Sequence, residues 1–272
     1  MGWAVILGAS EGTGAAIARA VARDPGLDVF AVHRGRHPAS AEALEQDLRA
    51  AGRSVAMRAF DAGSAEGAES GAAQLLEAAG PRSVQLFVHS ITGASLGHFT
   101  GADEGRLSPR QIHRTFDALA HSFVFWAREL DQRGLLAPGA RLLGLTNPLG
   151  ESLIQKCGLI ASAKAALETY VRCLAMELGP RGYRVNLLKF STVVTPAVRT
   201  VYGAEAMEQI DAVHRRMIPA GRMCTVDEVG RLVSTLCGES TAWFNGATID
   251  FTGGMTLGLA DLLLGDGASA PR

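Results

Sequence analysis

Little in this chain of 272 residues is suited to cross-linking it, seating a metal or anchoring it in a membrane. The four cysteines, Cys157, Cys173, Cys224 and Cys237, form no CxxC pair, which reads as reduced thiols in a cytoplasmic protein. The seven histidines are scattered, with no HExxH and no Cys/His cluster, so no metal site is expected. A formal net charge of −1 gives no electrostatic case for a nucleic-acid or anionic-membrane partner. No apolar run approaches the ~20 residues a membrane span needs. Trp3 to Leu7 is too short for a secretory signal and runs directly into glycines. Charged residues make up only 19% of the chain against 47% hydrophobic, which argues against disorder and leaves apolar surface for a sizeable core. The length suits one α/β domain, a class that runs to roughly 250 residues as a single unit.

What is present is an alternation. Apolar runs at 3–7, 28–32, 54–60, 84–88, 140–145, 184–188 and 247–250 are separated by stretches with helical character, among them 39–51 and 116–132. Several runs are continuously apolar, as strands buried on both faces require. The pattern predicts a Rossmann-type, doubly wound, seven-stranded parallel sheet. One domain is expected over 1–264, with a flexible tail over 265–272. The segment 197–218 breaks the rhythm. Met207, Ile210, Val213 and Met217 recur there at helical spacing, which suits an amphipathic lid over an apolar substrate.

The first run leads into Gly8, Ser10, Gly12, Thr13 and Gly14 and then a helical stretch. Glycines there let the backbone turn tightly and approach a pyrophosphate, and a helix N-terminus offers free amides to the anion. The second run ends in His33, Arg34 and Arg36, with no acidic residue to bind ribose hydroxyls. Two arginines suit a 2′-phosphate, which favours NADP, with NAD as the alternative. Glu11 in the glycine loop opposes a nearby phosphate.

Further motifs narrow the reading. His89-Ser90-Ile91 closes the fourth run, and His121-Ser122-Phe123-Val124 lies in the following helical stretch. The segment from Cys157 through Ile160 and Lys164 to Tyr170 leads on to Pro219–Met223 and Asp250–Gly254. Together with the GxxxGxG spacing, these resemble the short-chain dehydrogenase/reductase family over nearly the whole chain. Within it the pattern is most similar to the enoyl-acyl-carrier-protein reductases. The resemblance implies that Lys164 binds the nicotinamide ribose, that Asp61-Ala62 meet the adenine, and that His89 and Ser90 line the cofactor. It implies that Thr195 contacts the carboxamide, although the usual Pro-Gly before it is replaced by Phe190-Ser191. It makes the side chain of Asn186 structural. It also implies a homodimer or homotetramer, packed through the helix of Lys164 and the one over 116–132.

One part of the pattern is missing. The family places a tyrosine either four or seven positions before the lysine, and those positions hold Ile160 and Cys157. The seven-residue spacing belongs to the enoyl reductases, so Cys157 stands in the vacated place. Enoyl reduction builds negative charge on a thioester carbonyl, which needs a donor or cation. Isoleucine offers none, and a thiol is a weak donor. Thr146 and Asn147, where the resembled family keeps a serine or second tyrosine, His121 and Ser122 in the following helix, and Gln155 and Lys156 beside the vacant position are the polar candidates to compensate. The expected activity is NADPH-dependent reduction of an unsaturated, apolar acyl thioester, small or carrier-bound. The alternatives are a non-redox isomerase, dehydratase or cyclase, with Cys157 as a nucleophile whose thiolate Lys164 and a helix N-terminus favour, and a non-catalytic binding protein.

Overall fold

The computed structural model describes residues 2–101, 104–151 and 153–257. The expected tail at 265–272 lies outside them. Seven strands form one parallel sheet: β1 (Trp3–Leu7), β2 (Asp28–His33), β3 (Val55–Ala59), β4 (Val84–His89), β5 (Leu136–Thr146), β6 (Arg184–Phe190) and β7 (Thr248–Phe251). Their order is β3-β2-β1-β4-β5-β6-β7. Chain direction along the sheet therefore reverses between β1 and β4, the place where open α/β sheets bind ligands beyond their carboxyl ends.

Side-chain alternation along each strand feeds two cores. Val5, Leu7, Phe87, Leu142 and Leu187 pack with α3 (Ala65–Ala79), α5 (Ser122–Gln132) and α6 (Gly158–Leu178). Ala4, Ile6, Val88, Leu143 and Leu188 pack with α1 (Gly12–Arg23), α2 (Pro38–Ala50) and α8 (Val226–Leu236). Every residue of β1 is buried, which is why its sequence shows no polar alternation. Each fully buried large apolar side chain contributes about 1.5–3 kcal/mol, so these strands are the stable frame on which the loops are displayed.

Two elements depart from the sequence reading. The stretch over 116–132 is not one α-helix. α4 (Pro109–Phe116) passes through a π-helical turn (Asp117–His121) into α5. β5 begins at Leu136 and not at 140, with a register irregularity against β4 between Val84 and Leu86. The segment expected at 197–218 is α7 (Pro196–Met217). Its apolar set is not one buried stripe, because Met217 is buried while Val213 is exposed.

Candidate active site

Four loops meet at the carboxyl edge of β1, β4, β5 and β6. The first is the glycine loop. Gly8 and Gly12 have φ of +78° and +61°, a region that side-chain-bearing residues avoid. A Cβ on Gly8 would stand 2.4 Å from the Ser90 carbonyl oxygen, and one on Gly14 would stand 2.2 Å from that of Gly8. The Gly8 and Ala9 amides donate to the Val32 carbonyl at 2.8 and 3.1 Å, which pins the loop to β2. Glu11 precedes α1 in extended conformation without capping its first-turn amides. Glu11 Oε1 instead lies 3.5 Å from His37 Nε2. The helix end is thus left open to an anion, with a backbone cradle that any side chain would fill. The residues present fit a dinucleotide.

Just past β2, Arg34 lies beside the same crevice. Gly35 N–H donates to His33 Nδ1 at 3.1 Å, and the Arg34 guanidinium lies against Gly93, 2.9 Å from where a Cβ would sit. Burial first, then the Arg36 and Arg114 guanidinium groups, lower the Arg34 pKa against the attraction of Asp61. Thr115, next to Arg114, accepts a hydrogen bond from Ser95 N–H at 3.1 Å, so α4 is tied to the loop that holds Gly93. Arg114 is a neighbour that sequence spacing did not reveal. Asp61 Oδ1 accepts from Gly63 N–H at 3.0 Å, and the Ala62 carbonyl accepts from Trp126 Nε1 at 3.0 Å. Both residues are thereby held on the α5 side of the crevice. Ser10 and Thr13 sit half-buried in the glycine loop.

The catalytic end is built on β4, β5 and α6. His89 is fully buried; its Nε2 lies 2.8 Å from Ser122 Oγ, which itself donates to the Ala118 carbonyl at 3.1 Å. Ser122 therefore accepts from His89, so Nε2 carries the proton and Nδ1 is a buried acceptor with no partner among the described residues. Burial, then the nearby Lys164 charge, pushes the His89 pKa down to about 3, so the ring is neutral near pH 7. Lys164 Nζ donates to the Leu145 carbonyl at 2.6 Å, and burial lowers its pKa to about 8. Thr146, buried, is the next residue along β5. On the β6 side, Thr195 caps α7 by accepting from Val198 N–H at 3.2 Å. The same side chain faces Gly12, whose Cβ would come within 3.3 Å of its methyl. Thr192 Oγ1 and His214 Nε2 lie 2.9 Å apart, joining the loop after β6 to α7.

Several expectations need correction. Cys157 is the residue before α6, seven positions and two turns from Lys164 on the same helical face. It is buried, and burial pushes its thiol pKa up. Burial thus disfavours the thiolate that the nucleophile alternative needs and suits an inert, buried cysteine. Asn147 Oδ1 accepts from Leu149 N–H at 3.2 Å and caps the 3-10 turn Pro148–Gly150, a structural role. His121 Nδ1 lies 2.9 Å from Asp117 Oδ1, with its ring among Phe116, Phe125 and Tyr170, separate from Ser122 and His89. Gln155 and Lys156 are exposed. Asn186 is structural, as expected: Nδ2 donates to the Phe244 carbonyl at 2.9 Å and Oδ1 accepts from Ala247 N–H at 3.0 Å.

Sheet order, glycine cradle and the half-buried lysine are those of a short-chain dehydrogenase/reductase fold. The family model described as enoyl-(acyl carrier protein) reductase matches residues 8–256, and the chain belongs to that family. It is 29% identical over 171 residues to the NADH enoyl-acyl-carrier-protein reductase FabI of Escherichia coli (strain K12). That match covers 63% of this chain and 63% of the relative's length. It is 26% identical over 253 residues to 1-cyclohexenylcarbonyl-CoA reductase of Streptomyces collinus, covering 93% of this chain and 86% of that one. Among solved structures it resembles a short-chain dehydrogenase from Burkholderia cenocepacia in complex with NADP. The TM-score is 0.77 at 25% identity, over 93% of this chain and 96% of that one. These relatives are named as reductases or as a dehydrogenase. None of the three is named as an isomerase, dehydratase, cyclase or scaffold protein. Among the described residues no helix is long and apolar enough to cross a membrane.

Proposed function

We propose that the protein is a cytoplasmic, NADPH-dependent reductase of an unsaturated acyl thioester in which Lys164 does the electrostatic work that a phenol does elsewhere in the family. The observation that carries this reading is the Lys164 ammonium, desolvated at the Leu145 carbonyl beside Thr146, on a helix face whose two tyrosine positions hold Cys157 and Ile160. The nicotinamide, when bound, supplies the hydride. Negative charge then develops on the thioester oxygen, and in a site with little water a fixed cation stabilises it far more than in solution. At pH 7 Lys164 is mostly protonated, and a pKa near 8 lets it part with its proton more readily than an ordinary lysine. Neutral His89 adds no competing charge. Cys157, apolar in effect, helps to keep water out.

Arg34 and Arg36, with Arg114 behind them, support a preference for the 2′-phosphate of NADPH. Glu11, held toward His37, leaves less repulsion than the sequence suggests. Thr195 and the glycine loop hold the nicotinamide end, α7 covers an apolar acyl group, small or carrier-bound, and the protein works as a homodimer or homotetramer. Stopped-flow absorbance at the nicotinamide band, with NADPH and a panel of enoyl thioesters of increasing chain length, tests the activity. Oxidation well above a Lys164→Ala control supports it. No oxidation above that control with any thioester refutes it.

A further inference from the structure

Lys189 has no part in the reading above, yet it sits at the edge of the same site. Thr146 pairs with Lys189, and Lys189 with Asp250, in the registers of β5, β6 and β7. Val185 and Leu187 point toward the core that contains α6, so alternation puts Lys189 on that face too. Its side chain is only 13% exposed. The ammonium lies 2.5 Å from Glu151 Oε1 and 2.9 Å from Asp250 Oδ2. Asp250 is set in place independently, because its Oδ1 accepts from Thr252 N–H at 2.9 Å and Thr252 Oγ1 at 2.7 Å. Burial pulls the Lys189 pKa down, but its bonds to Glu151 and Asp250 outweigh this and leave it raised. The group is therefore a fixed cation with two carboxylate partners from different parts of the chain.

Of these partners, Glu151 is the informative one. It follows the 3-10 turn Pro148–Gly150, in the connection that runs from Thr146 to Cys157. That connection is otherwise tied near its far end, where the Lys156 carbonyl accepts from Gly97 N–H at 3.0 Å. We propose that Lys189 is a positioning residue: bridging Asp250 and Glu151, it latches the 147–157 connection onto the sheet and so sets the wall of the site between Thr146 and Cys157. A partly buried lysine with one carboxylate on its own sheet satisfies its charge there, and its second bond reaches across to hold the loop. The latch itself rests on geometry; its consequence for substrate rests on the reductase reading.

Hydrogen exchange followed by mass spectrometry tests the latch without any turnover. Glu151 is half-exposed, so Glu151→Gln leaves the core intact, and Lys189→Met and Lys189→Arg complete the set. Peptides covering 147–157 are expected to exchange about five- to tenfold faster in Glu151→Gln and Lys189→Met, with β1 and β4 unchanged. Lys189→Arg, which keeps the charge, is expected to restore most of the protection. In steady state, Glu151→Gln is expected to raise KM for an enoyl thioester about fivefold while the NADPH Kd stays within about twofold. Unchanged exchange of 147–157 in a folded Glu151→Gln protein overturns the latch. If the latch signature is present but no thioester is reduced by the wild type, the reductase reading fails and the latch stands.

Discussion

The two sides of the crevice have been treated differently. On the β1–β2 side the geometry is strict. Gly8 and Gly14 occupy places where a single added carbon collides with backbone, Gly12 has a positive φ against the Thr195 methyl, and the end of α1 is open to an anion. On the β5–β6 side the lysine and its backbone partner are kept, while the phenol is gone and a buried thiol of raised pKa stands in one of its places. Backbone geometry that holds a nucleotide tolerates no substitution, because each contact is set by sterics. Charge stabilisation tolerates a change of donor, because any well-placed positive group reduces the same barrier. A fold and cofactor cradle can therefore persist while the chemistry beside them is rebuilt.

This comparison breaks most sharply at Gly14. Gly14→Ala puts a methyl 2.2 Å from the Gly8 carbonyl oxygen. It is expected to weaken NADPH binding about a hundredfold, read by nicotinamide fluorescence titration. Full-strength binding would show that the loop is not the cradle. Next in size, Arg34→Ala is expected to raise the NADPH Kd about tenfold or more and leave that for NADH within about twofold. Equal losses for both nucleotides would remove the 2′-phosphate from the account.

Lys164 gives a pH-dependent prediction. Its folded pKa is about 8 against an ordinary 10.5. Below pH 8 both folded and unfolded states carry the charge, and the folded state bears the whole cost of desolvating it. Between 8 and 10.5 the folded state releases its proton first, the unfolded state binds more protons, and stability rises with pH. Lys164→Met is thus expected to be more stable than the wild type at pH 7, by roughly 3 °C in Tm, with a margin that shrinks toward pH 10.5. Thermal melts at pH 7 and 10 check it; a destabilised variant at pH 7 contradicts a strained, functional lysine. The smallest effect belongs to Cys157→Ala. Removing a protonated, buried thiol is expected to change the single-turnover rate by less than about threefold, because a thiol contributes little as a donor.

The sheet was legible because four- to seven-residue apolar runs separated by helical stretches have few other solutions, and the glycine loop because its spacing is a steric requirement. The start of β5 was hidden by Pro138 and Gly139, which break the apolar run and lie in the register irregularity between the Leu136 and Arg141 pairings with β4. The π-helical turn at Asp117–His121 has no side-chain periodicity to betray it. In the site, Lys164 was identifiable from its neighbours, but the state of Cys157 was not, since burial is a property of the packed chain. Lys189 and Glu151 carry no sequence signal for a similar reason, and Asp250 stands out only as the start of the Asp250–Gly254 motif. Each is an ordinary charged residue in sequence, and only the registers of β5, β6 and β7 bring the three together.

In the proposed reaction the glycine cradle serves a site whose stabilising group is Lys164 and not the residue in the phenol's place. Single-turnover hydride transfer from pre-bound, saturating NADPH to an enoyl thioester, compared in wild type, Cys157→Ala and Lys164→Met, tests it most directly. The expected result is a rate within about threefold of wild type for Cys157→Ala and a loss of about 10²–10³ for Lys164→Met, the usual cost of one oxyanion-stabilising group. A Cys157→Ala protein as slow as that, beside a Lys164→Met protein that still turns over, would contradict the account.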